Sequence, residues 1–159
     1  MSGPARRRLW TANTWLRACW PQIEAGLGAR IAAGHARALD LACGTGRDAV
    51  WLAERGLHVE AVDRLPDALE RAGDLAARCG VTLSLQRRDL ERDSALPQGR
   101  YDLVTCFCFL HRPLLDAVPA ALRPGGFACV RTFDRTERER SGRPRRARLV
   151  LEPGELRRR

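Results

Sequence analysis

Two glycines and two acids mark the part of this chain that could bind a small molecule. Residues 38–46 read ALDLACGTG, an apolar run that contains Asp40 and ends in a glycine-rich turn, and a helical pattern opens at about Arg47. Such a turn brings backbone N–H groups against a ligand, and the helix start favours anionic groups. Asp63 ends a second apolar run, 23 residues after Asp40. An acid about 20 residues downstream is where a carboxylate holds ribose hydroxyls, so the pattern predicts a site for an adenosine-containing cofactor.

The same segment also fits a nicotinamide dinucleotide. Gly44, Gly46 and Ala49 match the GxGxxG/A pattern of dinucleotide sites. Asp40 separates the two cofactors, because a carboxylate at the mouth of the first strand repels a pyrophosphate but attracts the sulfonium and ammonium groups of S-adenosyl-L-methionine. We therefore favour S-adenosyl-L-methionine as the cofactor.

The size and charge of the chain limit its domain count and its partners. The 159 residues are enough for one domain with a sizeable core. The formal net charge is +9, all 28 basic residues are arginine, and eleven of them lie from Arg131 onward. The arginine-rich end is therefore the segment that could contact a polyanion, although a compositional bias toward arginine explains the charge at least as well. We expect a small-molecule substrate and disfavour a nucleic-acid partner.

The cysteines and apolar segments indicate the compartment. Six cysteines are present, but no apolar segment typical of a signal peptide precedes them, and no run approaches the roughly 18 apolar residues of a membrane span. We expect reduced thiols, a cytoplasmic location and no membrane contact. Cys106 and Cys108 lie one residue apart without a CxxC partner set, so a metal site is not expected.

Strand and helix patterns alternate along most of the chain. The predicted strands are 38–42, 58–62, 81–86, 101–110 and 127–133, and the helices between them are 47–55, 66–80 and 113–122. This alternation predicts an α/β, Rossmann-like, doubly wound and mostly parallel sheet of about five strands.

Three regions follow from these patterns. Residues 1–37 form an N-terminal helical cap that Pro21 interrupts, residues 38–133 form the cofactor-binding α/β core, and residues 134–159 form an arginine-rich tail with a last helix near 153–156.

Several segments resemble class I S-adenosylmethionine-dependent methyltransferases, in the tellurite-resistance and thiopurine-methyltransferase-like branch. They are LDLACGTGRDAVWLAERG (39–56), AVDRLPDALERA (61–72), FLHRPL (109–114) and LRPGGF (122–127), and residues 132–156 are similar to the stretch that follows strand five in that branch. The resemblance implies methyl transfer to a small molecule, namely a thiol, a metalloid oxyanion or another compound.

The resemblance also implies which residues bind the cofactor. Asp63 would hold the ribose hydroxyls, and Asp89 with Leu90 would meet the adenine. For Asp40 and Asp63 a structural role, fixing a turn or capping a helix, stays open. Cys43 is expected to pack rather than to react. The implied cofactor-binding residues are Asp40, Ala42, Cys43, Gly44, Gly46, Asp63, Arg64, Asp89, Leu90, Cys106 and Phe107.

The substrate side is less defined. His111, Arg112 and Arg143 lie where substrate-facing groups belong. Because the methyl donor is already activated, proximity and alignment can supply most of the acceleration, and no catalytic acid or base is demanded. His111 is the best candidate for a base or a substrate-orienting group.

The chain departs from the family at its C-terminus. Members usually carry an antiparallel hairpin beside strand five, which this chain lacks, so one sheet edge is expected to be open. A homodimer through that edge, a truncated domain that binds cofactor weakly, and a divergent protein without turnover all remain open. The alternative from another class is an inactive interaction protein that contacts nucleic acid through residues 143–148 and 157–159.

Overall fold

The chain folds around one parallel sheet, which the computed structural model describes within residues 10–158. The strands are β1 (Arg37–Leu41), β2 (His58–Asp63), β3 (Ser84–Arg87), β4 (Tyr101–Phe107) and β5 (Leu122–Arg131). Their order is β3-β2-β1-β4-β5, and each neighbouring pair is parallel. The order reverses between β1 and β4, which is where ligands bind in open α/β sheets. The predicted Rossmann-like architecture is confirmed.

Helices cover both faces of this sheet. They are α1 (Thr14–Ala32), α2 (Arg47–Ala53), α3 (Pro66–Cys79), α4 (Arg112–Ala121), α5 (Arg135–Ser141) and α6 (Glu155–Arg158), with a 3₁₀ turn at Ala147–Leu149. Buried residues of α1 and α2 share a cluster with Ala38 of β1, whereas buried residues of α4 share a cluster with Leu39. Adjacent strand residues point to opposite faces, so these two clusters are the two halves of the core. Within residues 10–158, no helix combines the length and apolar character needed to span a bilayer.

The first helix is continuous, and the predicted break at Pro21 is wrong. Pro21 lies inside α1, where it removes one backbone hydrogen bond. Buried residues lie on both sides of it, Leu16 and Trp20 before and Ile23 after. Packing of this apolar stripe against the sheet therefore outweighs the local cost of the proline.

Three strands differ from their predicted bounds by more than one residue, and of these β4 ends at Phe107 instead of residue 110. The third is shorter, and all four residues of β3 are exposed, as is common for an edge strand. The fifth begins earlier, because the chain passes from α4 directly into β5 at Leu122 and absorbs a register shift opposite Tyr101 and Leu103. Gly126 makes this path possible, since a Cβ there would lie 3.1 Å from the carbonyl oxygen of Asp102.

The C-terminal segment folds back onto the carboxyl end of the sheet. The Leu151 N–H donates to the Phe133 carbonyl at 2.9 Å, and the Leu151 side chain packs with Leu110 and Leu115. The sequence predicts a short last helix, which α6 confirms, but it does not predict α5.

The outer edge of β5 meets no further strand within the described residues. A groove of about 350 Å³ lies along this edge and is lined by residues of α1, α4, β5 and α6. Trp15 and Leu156 line it and are 48% and 39% exposed. The open edge expected from the sequence is therefore present and carries apolar side chains.

Candidate functional site

The carboxyl ends of the strands surround a cleft of about 400 Å³. Ligand sites typically measure roughly 300–1,000 Å³, so the cleft can take a small molecule. Its walls come from the segments that follow all five strands and from residues 144–149 of the folded-back tail. Of the predicted cofactor-binding residues, five line it: Ala42, Asp63, Arg64, Asp89 and Leu90.

The glycine-rich turn between β1 and α2 is tightly built. Gly44 and Gly46 have φ of 55° and 76°, the left-handed region that glycine adopts at low cost. A Cβ on Gly46 would lie 2.6 Å from the Cβ of Ala72, so α3 can approach the turn only because position 46 has no side chain. The Cβ direction of Gly44 meets nothing within 4 Å. The turn therefore leaves open space beside Gly44 and close packing at Gly46.

Asp63 links the ends of β1 and β2. Its Oδ2 accepts the Gly44 N–H at 2.9 Å, and its Oδ1 accepts the Leu65 N–H at 3.0 Å. The side chain is 9% exposed and lines the cleft. Each carboxylate oxygen can accept a second hydrogen bond, so Asp63 can both fix the turn and receive hydroxyl groups from a ligand.

Asp40 is a buried acid with an incomplete set of partners. Its Oδ1 accepts the Thr105 hydroxyl at 2.7 Å, whereas its Oδ2 has no hydrogen-bond partner among residues 10–158. Burial raises the pKa of Asp40 from 3.8 to about 7, with a further contribution from the negative charge of Asp48; the Thr105 hydrogen bond and the Ala49 amide oppose this. The carboxyl therefore changes charge close to neutral pH.

Asp89 and its neighbours form the wall beyond β3. The Asp89 Oδ1 accepts the Glu91 N–H at 3.0 Å, and Leu90 is buried. Arg64 lies 3.8 Å from the carboxylate of Glu91. This wall therefore carries three carboxylates, counting Asp63, and two arginines, Arg64 and Arg88, that are already partnered.

The two predicted cysteine positions are inert in this environment. Burial, reinforced by the charges of Asp40 and Asp63, raises the pKa of the Cys43 thiol well above its ordinary value. Burial also raises the pKa of Cys106 to about 12. Both thiols stay protonated at neutral pH, which is consistent with packing rather than nucleophilic chemistry.

Some predicted cofactor residues lie outside the cleft surface. Cys106 and Phe107 are the buried last residues of β4, and the cleft wall begins with the next residues, Cys108 and Phe109. Asp40, Cys43, Gly44 and Gly46 likewise do not form the wall itself. They belong to β1 and to the turn that leads into α2.

Two non-glycine residues of the described chain adopt the left-handed backbone conformation, and both line the cleft. Ala42 has φ of 54° and Cys108 has φ of 57°. Each is the first residue after its strand, β1 and β4 respectively. Such conformations cost energy and cluster at ligand sites, so the strain is concentrated at the point where the strand order reverses.

The three residues predicted on the substrate side have different surroundings. Arg112 holds the tail: it contacts both Glu155 oxygens, at 2.7 and 3.0 Å, and donates to the carbonyls of Arg148 and Val150. His111 precedes α4 without capping it through its side chain. Arg143 is exposed beside Pro144, which lines the cleft. None of the three forms the cleft wall.

Sequence reasoning missed a group of cleft residues. Five of the residues named below follow the ends of β2, β3, β4 or β5 within two positions, and their place after a strand could have identified them. The tail residues carried no periodic signal, because only the folded-back path brings them to the cleft. The missed residues include Leu65, Arg88, Phe109, Thr132, Phe133, Arg146, Arg148 and Leu149.

Comparisons with known proteins agree with this geometry. The family described as Methyltransferase domain matches residues 38–126. The ubiquinone biosynthesis O-methyltransferase of Xanthomonas axonopodis pv. citri is 31% identical over an alignment of 139 residues, which covers 79% of this chain and 58% of that protein. The solved structure of an S-adenosylmethionine-dependent methyltransferase from Mesorhizobium loti is similar with a TM-score of 0.56 and 31% identity, over 74% of this chain and 53% of that one.

A more distant structure shares the fold alone. TehB from Haemophilus influenzae is similar with a TM-score of 0.55 at 18% identity, over 67% of this chain and 39% of that one. The chain spans about half the length of the curated relatives it matches.

Proposed function

This chain belongs to the methyltransferase-domain family, and from that premise we propose that it transfers a methyl group from S-adenosyl-L-methionine to a small-molecule acceptor. The proposal rests on the cleft at the carboxyl ends of β1, β2 and β4 and on the acids that surround it.

The observation that carries the proposal is the unpaired oxygen of Asp40. Two other buried acids, Glu60 and Asp102, have several donors each: Glu60 binds Arg37, Arg100 and the Tyr101 hydroxyl, and Asp102 binds two arginines and a backbone N–H. Buried charges are normally paired in this way. Asp40 alone among these three has a free oxygen, so a cationic ligand would complete its environment.

Asp63 and the glycine-rich turn provide further features that suit the adenosine part of the cofactor. The hydrogen bonds from Gly44 and Leu65 hold the Asp63 carboxylate in one orientation, with lone pairs left for the two hydroxyls of a ribose. The open space beside Gly44 lets a ligand approach the backbone. Asp89 and the buried Leu90 line the same cleft and, in this proposal, would contact the base of an adenosine.

The reaction needs little from the protein besides alignment. When bound, S-adenosyl-L-methionine supplies a methyl group on a positively charged sulfur, which makes the group ready for in-line displacement. The residues of the chain bind, orient and exclude water, and this positioning is the main source of acceleration. His111 remains our proposed base or orienting group for an acceptor that must lose a proton.

The more specific assignments are extensions of this proposal. Membership of the tellurite-resistance and thiopurine-methyltransferase-like branch is supported by segments 39–56 and 109–114. The relatives named O-methyltransferase favour an oxygen acceptor instead. We also propose a cytoplasmic location, in line with the six cysteines that are free thiols in the structure.

Calorimetry tests the cofactor assignment directly. We expect S-adenosyl-L-methionine and S-adenosylhomocysteine to bind and NAD to give no heat. Asp63→Asn should weaken binding of both by about tenfold or more, because one charged acceptor is lost. Asp67→Asn removes an exposed carboxylate outside the cleft and should leave binding unchanged. Binding of NAD in preference to S-adenosyl-L-methionine would overturn the proposal.

A further inference from the structure

The two long walls of the cleft carry opposite charge. The wall beyond β2 and β3 carries three carboxylates and two arginines that are already paired with acids. The carboxylates are those of Asp63, Asp89 and Glu91. The wall formed by the tail carries Arg146 and Arg148 and no acid. A ligand that spans the cleft therefore meets negative groups at one side and positive groups at the other.

The two tail arginines have no partners of their own. Arg64 and Arg88, which also line the cleft, lie against Glu91 and Asp93 respectively. For Arg146 and Arg148, by contrast, no side-chain hydrogen bond or ion pair is present in the described part of the chain. Their two guanidinium groups are therefore available to an anion, which arginine binds through paired N–H donors.

The position of these arginines is fixed by the fold. Arg112 of α4 donates to the Arg148 carbonyl at 2.8 Å and to that of Val150 at 3.1 Å. Its ion pair with the buried Glu155 holds the same segment. The backbone that carries Arg148 is thus tied to the core, although its side chain is exposed.

Apolar side chains surround the arginine wall. Phe109, Leu110, Phe133 and Leu149 line the cleft together with Arg146 and Arg148. An apolar surface next to unpaired guanidinium groups suits a molecule that has both an apolar body and an anionic group.

We propose that the methyl acceptor is a small apolar acid whose anionic group is bound by Arg146 and Arg148. This inference rests on the proposed function, since it names the class of molecule that shares the cleft with the cofactor. The acidic wall then receives the cofactor and the basic wall receives the acceptor, so each ligand is directed to its own side.

A matched pair of probes tests the charge requirement. Phenylacetate and the neutral phenylacetamide would be titrated by calorimetry into the full chain saturated with S-adenosylhomocysteine. We expect phenylacetate to bind about tenfold more tightly, because a charge-assisted contact is worth more than a neutral one. The double variant Arg146→Ala/Arg148→Ala should remove this preference. The control Arg145→Ala/Arg157→Ala removes the same charge from tail positions outside the cleft wall and should keep it.

Four outcomes would overturn the proposal. The acid and the amide could bind equally, or the preference could survive in the double variant. Alternatively, the double variant could weaken S-adenosylhomocysteine binding tenfold, which would assign the arginines to the carboxylate of the cofactor. A single-stranded RNA oligonucleotide that displaces phenylacetate in a strongly salt-dependent manner would assign them to nucleic acid.

The cofactor assignment is judged separately. S-adenosylhomocysteine is first titrated into the wild-type chain, and no heat there counts against the proposed function alone. The difference between phenylacetate and phenylacetamide is then measured on the ligand-free chain, so the arginine assignment keeps its own result. Circular dichroism melting of each variant confirms that it is folded.

Discussion

Replacing Asp40 by asparagine should remove the loss of stability that the ligand-free protein undergoes as pH rises toward neutral, and it should weaken cofactor binding. The folded protein raises the pKa of Asp40 to about 7, mainly by burial, from 3.8. Between these two values the folded state holds a proton that the unfolded state releases. The free energy of unfolding therefore falls as pH rises through this window and levels off above it. Asparagine cannot ionise, so the free energy of unfolding of the variant does not fall over this pH range for this reason.

The magnitude follows from the width of the window. One pKa unit corresponds to about 1.4 kcal/mol, so the wild type should lose about 2–3 kcal/mol of unfolding free energy relative to Asp40→Asn between about pH 5 and pH 8. The buried amide gains a donor without a partner, which costs about 1–3 kcal/mol at every pH. The pH-dependent difference between the two proteins is therefore more informative than the difference at one pH.

Urea unfolding of both proteins at about pH 5 and about pH 8 measures this difference, and Asp67→Asn serves as the control for loss of an exposed carboxylate. Calorimetry with S-adenosyl-L-methionine should show wild-type affinity rising from pH 5 to pH 8 as Asp40 ionises, and a weaker, pH-independent affinity for Asp40→Asn. A stability difference between wild type and Asp40→Asn that is the same at both pH values would refute the reasoning.

Three further predictions follow from the contacts. Gly46→Ala should lower the free energy of unfolding by at least about 2 kcal/mol in urea, because the new Cβ clashes with Ala72. Adding Ala72→Gly should restore the part of this loss that the clash causes. If backbone strain at position 46 were the whole cause, the second substitution would restore nothing. Arg112→Ala removes the ion pair with the buried Glu155 and two hydrogen bonds to tail carbonyls, so trypsin should cleave the tail faster, as mapped by mass spectrometry; an unchanged cleavage pattern would contradict its holding role. We predict a homodimer through the open edge of β5 in sedimentation velocity, dissociated by Trp15→Asp; a wild-type monomer at all concentrations would exclude it.

The sheet could be predicted because its signals are local. Continuous apolar runs gave β1, β2 and β4, and the turn chemistry around Gly44 and Gly46 placed the ligand site at their ends. The error at Pro21 shows where local signals fail, because the residue lowers helix propensity but the packing of Leu16 and Ile23 compensates. Helix boundaries that depend on tertiary packing are not readable from a breaker residue alone.

The cofactor side of the site was easier to predict than the acceptor side. Asp63 ends β2 and Asp89 lies two residues after β3, so the topology of a parallel sheet places them at the same edge. Arg146 and Arg148 reach the cleft only because the tail turns back after α5 and is held by Arg112. That path depends on the hydrogen bond between Arg112 and Arg148, which are 36 residues apart in the sequence, and no periodic pattern predicts such a contact.

Arg112 illustrates how the fold adds a role that the sequence does not show. The sequence predicts it as a substrate-side residue, and its charge is suited to an anionic ligand. In the fold its donors are used by Glu155 and by two carbonyls of the tail. An arginine whose donors are engaged acts on the site through the segment that it holds. Arg112 would therefore influence acceptor binding by positioning Arg148.

The division of charge in the cleft explains why one chain can carry both unpaired acids and unpaired bases near one site. The free oxygen of Asp40 and the free guanidinium groups of Arg146 and Arg148 do not neutralise each other, because Asp40 is buried in β1 whereas the arginines lie on the opposite, tail-built wall. The free oxygen of Asp40 costs stability while it lacks a partner, whereas the exposed arginines stay hydrated until an anion binds. A cationic donor would relieve the cost at Asp40, and an anionic acceptor would give the two arginines a partner. The two ligands would then bind more favourably together than either does alone, and their opposite charges would draw the acceptor toward the sulfur.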